Sequence, residues 1–309
     1  MEKLFHSLFC ICAILCVAAC RYGTDAVQSD VLSQDISALI ADSERDVQSQ
    51  RFDSAMEKAL SALDLSRKND YALGEVRALS TVVGIDIMTS RDADAWEKAL
   101  EAESKARSGG FGRELAGILI SKAKLCSYAE ISPETGRNDE GLTYAQEALA
   151  LAEELDAVEQ QAEACYVIGS LYINKNRWLD PIDRELYRQA GEWIGRGQTL
   201  AEANDIPRLK RNGIMFRSRW YQQGDRDVEA IRYFEQVQDS LDETDYLTAS
   251  ALDDRLVRLY TRVGEPQKAL ESHDDYVFRM QKYILQKQDE TLQEMETRFD
   301  LQEKERQLE

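Results

Sequence analysis

From residue 31 onward the apolar positions recur every three or four residues, in blocks separated by short polar breaks. That period belongs to amphipathic helices, each laying one stripe on a neighbour. The blocks come in pairs: 31–48 with Phe52–Ser66, Tyr71–Met88 with Ala93–Ala106, Glu114–Ala129 with Glu140–Leu155, Gln160–Asn174 with Arg184–Ala203, and Arg208–Gln223 with Val228–Leu241. A sixth pair starts near Leu252, and its second member runs from Gln267 to Glu309 without Gly or Pro. Gly109-Gly110, Gly224-Asp225 and Gly264-Glu265 mark breaks, and Ile131 to Asp139 reads as an inserted loop. Trp178, between the members of the fourth pair, is either a partner contact or a lid on the helices beneath it.

Small residues recur within this pattern. On first helices they fall at Val83, Ala123, Gly169, Ser218 and Val257, and on second helices at Ala55, Ala95, Gly141, Ala190, Ala230 and Ala269. Four residues after each of the latter come Ala59, Ala99, Ala145, Ile194, Phe234 and His273. Helices that cross closely need Ala, Gly or Ser where their backbones touch, with large side chains filling the holes beside them. In three pairs the two anchors lie 12 apart (Val83 to Ala95, Ser218 to Ala230, Val257 to Ala269).

This spacing, with Leu256-Val257-x-x-Tyr260, Gly264-Glu265 and Ala269-x-x-x-His273-x-x-Tyr276, resembles the tetratricopeptide repeat, although no copy carries the full signature. The resemblance implies an all-α fold: a solenoid of about six helical hairpins over residues 31–276, followed by a long coiled-coil helix over 277–309. In such arrays the first helices line a concave groove. Carried over by position, the resemblance selects Arg77, Tyr166, Asn212, Arg219 and Arg258 as groove residues able to hold a protein or peptide partner.

In the last helix Phe278, Leu285, Leu292 and Phe299 recur at seven, with Ile284 and Met295 beside them and Gln281, Gln288 and Gln302 along the second seam. One firm heptad stripe and one weak one fit three arrangements: a parallel homodimeric coiled coil, a helix folded back on the array, or a helix awaiting another partner. The stretch from Arg298 to Glu309 resembles the segment joining tetratricopeptide arrays to a membrane span in regulators and sensor kinases of the Bacteroidota.

The N-terminus has a different character. Leu4 to Val17 is a short apolar run ending in Val17-Ala18-Ala19-Cys20, which resembles a bacterial lipobox. The resemblance implies a signal peptide over residues 1–19, lipidation at Cys20 with acyl chains such as palmitate, a flexible tether over 20–30, and a periplasm-facing membrane location. An ordinary cleaved signal with Cys20 left bare is the alternative. Cys126 and Cys165, which fall at apolar positions of first helices, are expected to be core residues.

Charge narrows the function. With 38 basic against 57 acidic residues the net charge is -19, which repels nucleic acid. Chemistry is sparse: past the leader the chain has one histidine, His273, read here as core-facing, and no glycine-rich phosphate loop. Catalytic residues, metal ligands and cofactors are therefore expected to be none. Two readings follow, neither enzymatic. One is a membrane-tethered scaffold binding a partner in its groove and self-associating through its last helix. The other is the extracytoplasmic sensor segment of a transcription regulator or histidine kinase whose membrane span lies beyond residue 309.

Overall fold

A computed structural model describes residues 31–128 and 137–308. The lipobox, the tether and most of the inserted loop lie outside the described residues. Among the described residues twelve helices follow one another: α1 (31–48), α2 (Phe52–Lys68), α3 (Ala72–Met88), α4 (Asp92–Gly109), α5 (Gly112–Tyr128), α6 (Asn138–Glu154), α7 (Val158–Asn176), α8 (Arg184–Ala203), α9 (Pro207–Gln223), α10 (Asp227–Asp239), α11 (Tyr246–Val263) and α12 (Pro266–Leu308). Among the described residues there is no strand. Successive helices pack as hairpins, and α3, α5, α7 and α9 also touch along an inner layer. This is the all-α helical-hairpin solenoid that the repeat pattern implies.

One device makes most of the turns. Gln50, Asp70, Ser90, Gly110, Asp156, Asp205, Asp225 and Gly264 each adopt a positive φ, between 49° and 79°. The next amide then reaches back five residues: Arg51 N to Asp46 O, Tyr71 N to Ser66 O, Arg91 N to Asp86 O, and likewise at the other five turns, at 2.8 to 3.2 Å. Such a left-handed residue turns the chain sharply and satisfies a last-turn carbonyl. Aspartate tolerates that conformation better than most side chains. The first four turns fall 20 residues apart, so each early helix and its turn forms a unit of fixed length.

The first two hairpins also share an ion-pair motif. Asp46 bonds Arg51 and Lys58 at 2.7 and 2.5 Å, and 40 residues on Asp86 bonds Arg91 and Lys98 at 2.7 and 2.9 Å. Both aspartates are buried at the end of a first helix and tie it to its second. Cys126 stands at the same register in the third hairpin. It and Cys165 are free and buried, and burial pushes both thiols up to about 11.

Every small anchor on the second helices is buried, as are their followers Ala59, Ala99, Ala145, Ile194 and Phe234. His273 breaks the series and corrects the core-facing assignment: it is exposed, its ring 6.3 Å from that of Tyr276, while Ser272 takes the buried place. The reason is positional. The followers are covered by the next hairpin, and in the described chain α12 packs on α11 without a later hairpin behind it. Val257 is likewise only half-buried, with Leu256, Leu259 and Tyr260 forming the contact instead. Trp178 is half exposed, with the Arg177 guanidinium 5.9 Å from its ring, so it does not form a packed lid.

Past its packing on α11, α12 continues with its apolar stripe uncovered. Phe278, Ile284, Leu285, Leu292, Met295 and Phe299 are 49% to 66% exposed. No helix among the described residues is long and apolar enough to cross a membrane.

Candidate functional site

The inner layer encloses a pocket of about 400 Å³. Four first helices supply it: Gly84, Ile87 and Met88 from α3, Ser121 and Lys124 from α5, Glu163, Tyr166 and Val167 from α7, and Asn212, Met215, Phe216 and Arg219 from α9. The helical period explains the selection, because positions four, three or seven apart share the face turned inward. Its floor is apolar, and two of its methionines are open to solvent, Met88 at 56% and Met215 at 37%.

Tyr166, Asn212 and Arg219, inferred from sequence, meet here. Tyr166 is a packing residue: it is 1% exposed, donates its hydroxyl to the Leu209 carbonyl at 3.0 Å and stacks on Phe216 at 5.3 Å. Burial raises its phenol above the ordinary value. Its side chain lies against Gly197 and Gly213, where an added Cβ would come within 2.7 Å of a ring carbon and 2.5 Å of the hydroxyl oxygen. Arg219 donates to Ser170 Oγ and Asn174 Oδ1, both at 3.2 Å. Among the described residues the Asn212 carboxamide makes no hydrogen bond to the protein, which leaves a donor and an acceptor at the pocket wall.

The other two lie apart from this pocket. Arg77 is on the inward stripe of α3, seven residues before Gly84, and donates to Glu114 at 2.8 Å. Arg258 is on α11 and pairs with Asp254 at 3.0 Å.

Ion pairs set the electrostatics of the wall. Lys124 Nζ lies 2.6 Å from Glu163, and Arg208 bridges Glu159 at 2.7 Å and Glu163 at 3.5 Å. Burial opposes ionisation of Glu163, yet Lys124 and Arg208 outweigh it and hold the carboxyl at about 2. Burial lifts the Glu44 carboxyl of α1 above its ordinary value, with Arg208 opposing the shift and Glu159 adding to it. Among the described residues no group of three or more His, Cys, Asp or Glu side chains is placed to hold a metal ion.

Sequence reasoning missed the apolar members of the site, Met88, Met215 and Phe216, and the Glu163 pairs. The signal for them was the stripe itself: Arg208, Asn212, Met215 and Arg219 fall four, three and four apart.

No family model and no curated protein matches the chain. Solved structures with the same fold include the apo form of RapI, at TM-score 0.54 and 12% identity over 81% of this chain and 84% of that one. Aspartyl phosphate phosphatase F from Bacillus subtilis matches at TM-score 0.54 and 15% identity, over 80% of this chain and 60% of that one. The Rap conjugation gene regulator of the plasmid pLS20, solved in complex with the Phr* peptide, matches at 0.55 and 16%, over 84% of this chain and 64% of that one. The chain thus spans less than two thirds of the length of the latter two. At these identities the likeness is one of fold.

Proposed function

We propose that this protein is a non-enzymatic scaffold that takes an extended peptide segment of a partner into its concave groove. The observation that carries this reading is the pocket shared by four first helices, with an apolar floor, solvent-open methionines and an uncommitted carboxamide at Asn212. An apolar floor accepts a side chain, and a free amide matches the paired donor and acceptor of a peptide backbone. Methionine adapts to different shapes, which suits a groove that reads a segment rather than a rigid surface. The Phr* peptide bound to one structural neighbour agrees with such a use of the fold. Lys124 and Glu163 of the pocket are paired with each other, and a carboxyl held at about 2 is poorly matched to proton transfer near neutral pH.

The test is selection from a random peptide library followed by methionine footprinting. Bound peptide is expected to protect Met88 and Met215 from peroxide relative to the peptide-free protein. Binders that leave Met88 and Met215 unprotected would overturn the groove reading.

Two extensions belong to the same proposal. Exposed Phe278, Leu285, Leu292 and Phe299 at seven-residue spacing support self-association of α12 with a second copy. At their exposure these four side chains would remove roughly 900 Å² from water across both copies, the size of a small interface. Val17-Ala18-Ala19-Cys20 supports attachment to an envelope membrane through a lipidated Cys20.

A further inference from the structure

The helix that supplies four of the twelve pocket residues is also a strongly basic part of an acidic molecule. α9 carries Arg208, Lys210, Arg211, Arg217 and Arg219 and not one Asp or Glu, in a chain of net charge -19. Several inward-facing cations of the groove are already neutralised: Arg77 by Glu114, Lys124 by Glu163, Arg208 by Glu159 and Glu163. Arg113 and Arg211 are different. Both are exposed, and among the described residues neither side chain has a carboxylate, hydrogen-bond or ring partner.

Their positions are informative. Arg113 lies on the α5 stripe that continues through Gly117 to Ser121 and Lys124. Arg211 stands three residues after Arg208 and next to Asn212. Both sit in the early turns of first helices, on either side of α7. With neighbouring helix axes about 10 Å apart, they stand about 20 Å from each other, the reach of about six extended residues. Between them α7 carries Glu159 and Glu163. Those carboxylates are paired with Lys124 and Arg208, so the unpaired positive charge lies at the two ends.

We propose that the groove selects a peptide segment with acidic residues at both ends, about six positions apart, and an apolar side chain between them that seats in the pocket. Arg113 and Arg211 each offer a planar guanidinium that meets a carboxylate through two parallel hydrogen bonds. This inference rests on the groove reading of the preceding subsection and adds its charge rule.

Fluorescence anisotropy tests it with three labelled peptides of one length, each with a central leucine and with glutamate, glutamine or lysine at both ends. The glutamate peptide is expected to bind at least tenfold more tightly than the glutamine peptide and to weaken with added salt. Arg113→Glu with Arg211→Glu is expected to reverse the order in favour of the lysine peptide. Both sites are exposed, so the variant keeps the thermal melt of the parent. Glutamate and glutamine peptides that bind equally, with Met88 and Met215 protected, overturn the charge rule and leave the groove reading standing. If no peptide protects those methionines, both fall. Displacement of the glutamate peptide by an equal concentration of polyphosphate shows a general anion site and overturns the peptide assignment.

Discussion

Two glycines on first and second helices separate open space from close packing. At Gly84, on the pocket face of α3, an added Cβ meets nothing within 4 Å. Alanine there removes the conformational cost of a mid-helix glycine, worth about 1 kcal/mol. At Gly197, on α8, the same Cβ would stand 2.7 and 2.8 Å from ring carbons of Tyr166 and 3.0 Å from the Ala162 carbonyl oxygen. The ring is pinned by its bond to Leu209 and its stack on Phe216, and a backbone carbonyl has little room to shift. Overpacking of that kind costs about 1–3 kcal/mol, which outweighs the helix gain. Gly84→Ala is therefore expected to raise the melting temperature by about 2 °C, and Gly197→Ala to lower it by a similar or larger amount. Gly84→Leu extends the argument from fold to function. It keeps the helix gain, places an isobutyl group in the 400 Å³ pocket, and is expected to weaken peptide binding at least tenfold without loss of stability. Calorimetry on the three variants and anisotropy with a selected peptide measure both effects. A fall in melting temperature for Gly84→Ala, or a rise for Gly197→Ala, refutes the packing argument. Unchanged peptide affinity in a stable Gly84→Leu protein refutes the pocket as the site.

Glu163 gives a pH prediction. Its folded-state value, about 2, lies below the ordinary 4.5, so its ion pairs stabilise fully above about 4.5 and are lost as pH falls toward 2. Glu163→Gln is expected to cost about 2 kcal/mol at pH 7 and to flatten the acid limb of the stability curve across that window, as measured by urea titration. An acid limb identical to that of the parent would exclude Glu163 as a source of acid sensitivity. In α12, Leu285→Glu with Leu292→Glu is expected to abolish concentration-dependent dimerisation in sedimentation equilibrium. Because both side chains are more than half exposed, the melt of the array is expected to stay within about 1 °C. A dimer that survives both changes places the self-association elsewhere.

Local order determined much of this protein. Spacings of three and four set the helices, left-handed Asp and Gly residues set the turns, and Ala55, Ala95 and Ala230 mark close crossings, because each depends on neighbours within one or two turns. The resemblance to the tetratricopeptide repeat pointed to Tyr166, Asn212 and Arg219 as groove residues. The tertiary structure decided which stripes converge. Gly84 and Arg219 line one pocket across 135 positions of sequence, a meeting set by how far each hairpin rotates on the last, and that rotation depends on the side chains packed between hairpins. It also decided which charges remain available: Arg77 is tied to Glu114 and Arg208 to Glu159, 37 and 49 residues away, while Arg113 and Arg211 stay open. His273 follows the repeat in sequence and departs from it in space, because burial at that position comes from a following hairpin and not from the helix that carries it.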